Sequence, residues 1–224
     1  MAKVCLAIPA YDGRMPIEAA VQLSQVAMTL SAHKIDIHMT WGAGSALIDL
    51  CRNKLVNRFL TETDADVLFF LDSDIIFKAQ DFLQLLYWAG KYPVVGATYP
   101  VRKDPPKFFV KAKQGAFETN EDGLIEVEGF GAGFLTIHRD VFKKLDDKVE
   151  EFETDDGEVL KAYFDMRIID RKYKGEDISF MKRWIDECGG KVYLDPHINL
   201  KHVGTKEYDY KLIDYLNSKL ERVN

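Results

Sequence analysis

The first hundred residues alternate between short apolar runs and longer segments whose apolar residues recur at helical spacing. KVCLAIP, IDIHMTW, DVLFFL and PVVGATY have the length and pattern of strands. Between them, three segments repeat apolar residues every three or four positions, as helices do; these cover 15–33, 42–63 and 79–91. Strands that alternate with helices in this way predict an α/β sandwich whose sheet is largely parallel.

The second half has a different pattern. From 103 to 145, short alternating runs, turn signals and a glycine cluster predict antiparallel strands that lead into a short helix. The charged and weakly periodic segment 146–175 predicts a long surface loop, and loops of that length are often functional lids. The remaining patterns predict a helix, two strands and an amphipathic terminal helix, at 176–190, 191–196, 198–204 and 208–224.

Composition and charge narrow the class of protein. Hydrophobic residues make up 47% and charged residues 29%, and the net charge of −6 argues against a nucleic-acid partner. No run approaches the roughly 18 apolar residues of a membrane span, and MAKVCLAIPAYDG lacks a signal-peptide pattern. Because Cys5, Cys51 and Cys188 are odd in number and far apart, we expect reduced core cysteines in a cytoplasmic protein.

The most apolar predicted strand runs directly into Asp72, Ser73 and Asp74, after which the chain becomes apolar again. Ligands of open α/β sheets bind at the carboxyl ends of the strands. Two carboxylates one residue apart point the same way along an extended chain and offer oxygen ligands to a hard divalent cation. The pattern therefore indicates a metal site that could bridge a diphosphate. The alternative is that Asp74 caps the next turn and Asp72 is a solvated strand end.

The segment LFFLDSDIIF, followed by a helix, resembles the DxD motif of GT-A nucleotide-sugar glycosyltransferases. It is most similar to family-two-type enzymes and related small bacterial and viral transferases. Five other segments resemble motifs of these enzymes in the same order: IPAYDG, CRNKLVNRFL, GFGAGFLTIHRDVFKKL, GEDISFMKRW and LKHVG. The resemblance covers nearly the whole chain. It implies one GT-A (Rossmann-like) three-layer sandwich over 1–224, with a small antiparallel portion, a nucleotide-binding half (1–100) and an acceptor-binding half (101–224).

The same resemblance implies donor and metal contacts. The donor would contact Pro9, Tyr11, Asp12, Arg52, Asp72 and Ser73, with Tyr11 stacked on the base. The cation, Mn²⁺ or else Mg²⁺, would be held by Asp72, Asp74 and His202. Each assignment has an alternative: a simple turn at Tyr11, a solvated helix face at Arg52, and a satisfied core histidine at His202. His197 has the opposite strand phase and is the less suitable histidine.

The start of the helix at 176–190 carries the implied catalytic pair. By resemblance, Asp177 is the general base that takes the proton of the acceptor hydroxyl, next to Glu176. The alternative is that both acids complement the helix dipole and cap its free amides. Gly131, Ala132 and Gly133 form the implied acceptor-binding segment, since glycine lets the backbone come close to a ligand.

Together these residues predict a metal-dependent, inverting, hexosyltransferase-like enzyme. It would move a sugar from a nucleotide-diphosphate donor, UDP-sugar rather than GDP-sugar, to a glycan, lipid or protein acceptor. The first alternative is a sugar-phosphate nucleotidyltransferase, although the glycine-rich basic loop typical of those enzymes is replaced here by the short AYDGRMP. The second is a non-catalytic nucleotide-sugar-binding module.

Overall fold

The strands and helices predicted for the first half are all present in the computed structural model, which describes residues 3–103, 105–113, 117–169, 171–204 and 207–220. An additional two-residue strand follows the DSD triplet. In chain order the elements are β1 (Val4–Ala10), α1 (Ile17–Ala32), β2 (Ile37–Ala43), α2 (Ile48–Glu62), β3 (Val67–Leu71), β4 (Ile75–Ile76), α3 (Ala79–Ala89) and β5 (Val94–Gly96).

The second half contains more and shorter strands. The elements are β6 (Val110–Ala112), β7 (Ile125–Phe130), β8 (Phe134–His138), α4 (Arg139–Leu145), β9 (Glu151–Glu153), β10 (Val159–Lys161), β11 (Arg167–Ile169), β12 (Lys172–Lys174), α5 (Glu176–Cys188), β13 (Val192–Leu194), β14 (Lys201–His202), β15 (Tyr208–Asp209) and α6 (Leu212–Leu220). No helix among the described residues is both long and apolar enough to cross a membrane.

Strands from both halves form one mixed sheet in the order β2-β1-β3-β8-β5-β13-β7-β6. β1 pairs in parallel with β2 and β3, and β5 pairs in parallel with β13, whereas β7 and β8 run antiparallel to their neighbours. Six of the eight strands therefore point the same way. Because β8 is antiparallel to β3, with Phe134 opposite Leu71, the glycine-rich segment before β8 lies beside the end of β3.

Helices cover both faces of this sheet. One apolar cluster contains residues of α1 and α3, and the other contains residues of α2, α4 and α5. Along β3, Leu68 and Phe70 belong to the second cluster, while Phe69 and Leu71 belong to the first. Since β3 is buried on both faces, it is apolar at every position, and it delivers the DSD triplet to the edge of the sheet from the centre of the core.

The segment 146–175, predicted as a surface loop, instead contains two β-hairpins, β9–β10 and β11–β12. Its middle part is held in the core. Phe164 stacks on Phe180 with ring centres 4.6 Å apart, and its backbone exchanges two hydrogen bonds with the buried side chain of Asn53 (2.7 and 2.9 Å). The buried Arg183 donates hydrogen bonds to the carbonyl oxygens of Ala162 and Tyr163. Strands of three residues are too short to show a period in the sequence.

This anchoring divides the predicted lid into two parts. We expect slow amide exchange around Leu160 and Phe164 with or without donor, because both side chains are buried. Donor-dependent protection should be confined to β11–β12, where Ile168 and Tyr173 are 78% and 69% exposed. Hydrogen–deuterium exchange with and without UDP and Mn²⁺ measures this. Equal exchange of β11–β12 in both conditions would remove the lid hypothesis.

The late elements are shorter than the sequence predicts. The strand predicted at 198–204 is reduced to β14, which pairs with β4 and β15. The terminal helix begins at Leu212, because Tyr208–Asp209 pairs with β14. Parts of three predicted segments lie outside the described residues: 104 and 114–116 in the antiparallel region, 170 in the predicted loop, and 221–224 of the predicted terminal helix. Residues 205–206, between the last predicted strand and that helix, also lie outside them.

Candidate functional site

A cavity of about 310 Å³ lies at the carboxyl ends of β1 and β3. It is lined by Pro9 near the end of β1 and Tyr11 just after it, by Ser45 and Ala46 before α2, and by all three residues of the DSD triplet. The amide of Ser73 donates a hydrogen bond to the carbonyl of Pro9 (3.2 Å), which joins two of these segments. Residues far apart in the sequence thus form a cavity of the size typical of small-molecule sites.

The residues predicted to contact the nucleotide-sugar donor differ in how accessible they are to a ligand. Tyr11 is 69% exposed at the cavity, so one face of its ring is free to stack, whereas Pro9 is buried. Oδ1 of Asp12 accepts a hydrogen bond from the amide of Arg14 (3.1 Å), as the turn alternative expects. Ser45 and Ala46 were not predicted. The small residues of GAGSA, placed between a strand and a helix, are the signal that could have found them.

Arg52 lies at the centre of a buried ionic network rather than on a solvated helix face. Its Nη2 donates a hydrogen bond to Oδ2 of Asp72 (3.1 Å), and its Nε donates one to Oε1 of Glu176 (3.2 Å). The guanidinium lies 5.0 Å from the ring centre of Phe70. Burial opposes the charge, but Asp72 and Glu176 raise the pKa of Arg52, so it stays cationic. Nη1 of Arg52 and Oδ1 of Asp72 are buried without a hydrogen-bond partner among the described residues, although Oδ1 lies 3.0 Å from Nη2 of Arg52 in the ion pair.

Replacing Arg52 with methionine should lower the free energy of unfolding by about 3–5 kcal/mol, because Asp72 and Glu176 would lose their buried counter-charge. Urea denaturation followed by circular dichroism measures the loss. Arg58→Met is the matched control, since Arg58 lies in the same helix and donates to the carbonyl of Trp41 at a partly exposed position. A loss in Arg52→Met below about 1 kcal/mol, no larger than in Arg58→Met, would show that the network does not stabilise the fold.

Asp74 and His202 come together across the pairing of β4 with β14. Oδ2 of Asp74 is 3.5 Å from Nε2 of His202. The other ring nitrogen, Nδ1, lies 3.0 Å from the carbonyl oxygen of Pro100. A carbonyl only accepts hydrogen bonds, so Nδ1 donates to Pro100, and Nε2 is the ring nitrogen that faces Asp74. This is the usual arrangement of a metal-binding histidine.

The residues present therefore suit a divalent cation as a two-ligand site. Among the described residues, no three His, Cys, Asp or Glu side chains converge on one point. A cation held by Asp74 and His202 would take its remaining ligands from a bound phosphate and water, as hard cations commonly do. The third predicted ligand, Asp72, is turned to Arg52, and its role as a ligand stays a prediction.

A basic side chain that the sequence did not predict at this site, that of Arg102, also contacts Asp74. Arg102, in the loop after β5, forms an ion pair with Oδ2 of Asp74. Burial favours the neutral acid, but His202 and Arg102 outweigh it and hold the pKa of Asp74 below its ordinary value. Asp74 is therefore an anion in this arrangement.

The predicted catalytic pair begins α5. Oδ1 of Asp177 accepts a hydrogen bond from the amide of Ile178 (2.7 Å), as the capping alternative expects. Burial and the neighbouring charge of Glu176 raise the pKa of Asp177 to about 6. A carboxyl group with such a pKa can hold or release a proton near neutral pH, which suits an acid–base role.

The glycine-rich segment packs against Tyr99 and Asp72. A Cβ atom at Gly133 would lie 2.7 Å from Oδ2 of Asp72 and 2.7 Å from the hydroxyl of Tyr99, so no larger residue fits without displacing them. Gly131 is similarly close to that hydroxyl, with 3.0 Å for its Cβ position. The side chain of Ala132 is buried in the core, which leaves only its backbone to meet an acceptor.

Tyr99 is a site residue that the sequence analysis missed. Burial and the charge of Asp72 raise its pKa well above the ordinary value, so the hydroxyl remains a hydrogen-bond donor. Its ring lies edge-on to that of His202, with centres 4.9 Å apart. Its position as the last residue of the predicted strand PVVGATY, at the edge where ligands bind, is the signal that could have found it.

Comparison with known proteins shows the fold. No family model matches the sequence, and no curated protein does. The crystal structure of A197 from STIV is similar to this chain, with a TM-score of 0.60 and 18% sequence identity over 94% of this chain and 91% of that chain. The predicted fold class, a GT-A-type α/β sandwich with a mostly parallel sheet, is confirmed. At this identity the likeness shows the fold alone.

Proposed function

We propose that this protein is a metal-dependent glycosyltransferase that uses a nucleotide-diphosphate sugar. The observation that carries the proposal is the cavity at the ends of β1 and β3. The exposed ring of Tyr11 and the acidic residues of the DSD triplet line this same cavity. An aromatic ring suits a base, and a cation bound to carboxylates suits a diphosphate. Both parts of a nucleotide diphosphate thus find matching chemistry in one cavity.

The donor would lie with its base at Tyr11 and its diphosphate at Asp74 and His202. Mn²⁺, or else Mg²⁺, would supply Lewis-acid stabilisation of the leaving diphosphate when bound there. The volume of about 310 Å³ lies at the lower end of the range for ligand sites and favours the smaller pyrimidine base, hence UDP-sugar over GDP-sugar.

The acceptor would approach along Gly131 and Gly133, on the Asp177 side of the network. In its ionised form Asp177 takes the proton of the acceptor hydroxyl as that oxygen attacks the sugar, which gives an inverting transfer. Glu176, fixed by Arg52, keeps the start of α5 next to Asp72. The acceptor is a glycan, a lipid or a protein. The free state of Cys5, Cys51 and Cys188 supports a cytoplasmic location.

The test is a screen of nucleotide sugars and acceptors with Mn²⁺, read by release of the nucleoside diphosphate. Mn²⁺-dependent release of UDP from a UDP-sugar is the expected result. Pyrophosphate release from a nucleoside triphosphate and a sugar phosphate would favour a nucleotidyltransferase instead. Calorimetric binding of UDP-sugar without turnover on any acceptor would favour a binding module.

A further inference from the structure

We infer that Arg102 is a diphosphate-binding residue that pairs with Asp74 only while the cation and donor are absent. When a cation occupies Asp74, the guanidinium turns to the phosphate oxygens that the cation holds. The inference rests on the proposed function, and it concerns a residue that no resemblance or comparison singles out.

One carboxylate oxygen of Asp74 lies close to two basic side chains, those of Arg102 and His202. Oδ2 of Asp74 contacts a guanidinium nitrogen of Arg102 and also lies 3.5 Å from Nε2 of His202. Oδ2 is the Asp74 oxygen recorded near Nε2 of His202, so a divalent cation that bound both side chains in this arrangement would take the oxygen that Arg102 contacts. Arg102 and the cation therefore compete for Asp74, and binding of one displaces the other.

The backbone keeps Arg102 near this point while its charged end stays adjustable. Pro100 is tied to His202 through the 3.0 Å contact to Nδ1, and the amide of Val203 donates to the carbonyl of Asp74 (2.8 Å). The stem of Arg102 runs against Gly204, where a Cβ atom would lie 2.9 Å from its Cδ. The side chain is nevertheless 43% exposed, so a change of rotamer is open to it.

Two arginines of the described residues, Arg52 and Arg102, contact the DSD triplet, and of these only Arg102 is available to a ligand. Arg52 is buried and neutralises two carboxylates, so moving it would leave both unpaired. In the part of the chain that the structure describes, Arg102 pairs with Asp74 alone, and the cation would take over this partner. A guanidinium suits phosphate oxygens because its donors match them in pairs. A phosphate held by a cation on Asp74 would lie near the carboxylate that Arg102 contacts, so a change of rotamer would let the guanidinium exchange the carboxylate for the phosphate.

The test compares Arg102→Met with Lys103→Met, which removes the same charge from the neighbouring position of the same loop. Two affinities are measured by calorimetry: Mn²⁺ alone, and UDP at saturating Mn²⁺. For Arg102→Met we expect tighter Mn²⁺ binding, by about threefold to tenfold, because a competitor is gone. We expect weaker UDP binding, by about tenfold to a hundredfold, the usual worth of a charged hydrogen bond. Lys103→Met should change neither affinity by more than about twofold.

The two affinities are expected to change in opposite directions, and this distinguishes a diphosphate-binding role of Arg102 from a structural role. If both affinities fall, Arg102 only supports the local structure, and the inference is wrong. If UDP affinity is unchanged, Arg102 is at most a counter-ion of Asp74. Arg102→Lys, which keeps the charge but loses the paired donors, should give a UDP affinity between wild type and Arg102→Met. Absence of Mn²⁺-dependent UDP binding in the wild type would overturn the proposed function and this inference together, whereas normal binding in Arg102→Met overturns the inference alone.

Discussion

Asp177→Asn is expected to lower turnover by about 10²–10⁴-fold while leaving the affinity for UDP close to that of the wild type. Asparagine keeps the shape of the side chain and can still accept the hydrogen bond from the amide of Ile178. Only the step in which the acceptor hydroxyl loses its proton should suffer. Single-turnover rates with saturating donor and acceptor measure this directly.

The pKa of Asp177 adds a pH dependence to the same experiment. With a pKa of about 6, the base form is lost as pH falls below 6, so wild-type turnover should decrease about tenfold per pH unit there. The residual activity of Asp177→Asn should lack this limb. The folded state also holds the proton more tightly than the unfolded chain, so the contribution of Asp177 to stability falls as pH rises from about 4 to 6. At pH 7 the variant should therefore be at least as stable as the wild type.

Asp186→Asn is the matched control, since Asp186 lies on the same helix and pairs with Lys182 at its surface. It should leave turnover unchanged. If Asp177→Asn retains near-normal turnover and is less stable than the wild type at pH 7, then Asp177 only caps α5, and the general base lies elsewhere.

The second large effect is expected at Asp74. Asp74→Ala should weaken Mn²⁺-dependent binding of UDP by at least about a hundredfold, because the carboxylate shared by His202 and the cation is gone. The fold should persist, since the hydrogen bond to the amide of Val203 uses the backbone carbonyl of residue 74. Calorimetry with UDP, with and without Mn²⁺, measures the loss.

Asp140→Ala provides the control for the change in net charge, because Asp140 is exposed at the start of α4 and pairs with Lys143. Unchanged affinity is expected there. Undiminished Mn²⁺-dependent affinity in Asp74→Ala would remove the metal site from the DSD triplet, and with it the main support for a nucleotide-diphosphate donor.

The site could be predicted from sequence wherever a single strand end determines it. The unbroken apolar run of β3 indicates burial on both faces of the sheet. Ligands of such sheets bind at the carboxyl ends of the strands. Asp74 after β3 and Tyr11 after β1 could be predicted as site residues from this rule. Tyr99 and Arg102 follow β5, and their approach to the triplet depends on β8 lying between β3 and β5. No local pattern encodes that order.

The burial of Arg52 could not be predicted from the sequence either. Its partners Asp72 and Glu176 are 20 and 124 positions away along the chain, so the helix pattern alone left a solvated face as a fair alternative. The two hairpins of 146–175 were missed because their strands have three residues each, and because the side chains that anchor them, Asn53 and Arg183, belong to other elements.

The strand order has a consequence for how the molecule could be divided. β8 and β13, from the second half of the chain, lie inside the sheet on either side of β5, from the first half. A fragment ending near residue 100 would lack β8, which separates β3 from β5, and β13, the other neighbour of β5. It would carry the DSD triplet at the end of β3 on an open, apolar sheet edge. The nucleotide-binding half (1–100) and the acceptor-binding half (101–224) are thus not separable modules. Any ligand that binds at Asp74 and Arg102 recognises only the completely folded chain, and its binding free energy adds to the stability of the whole domain.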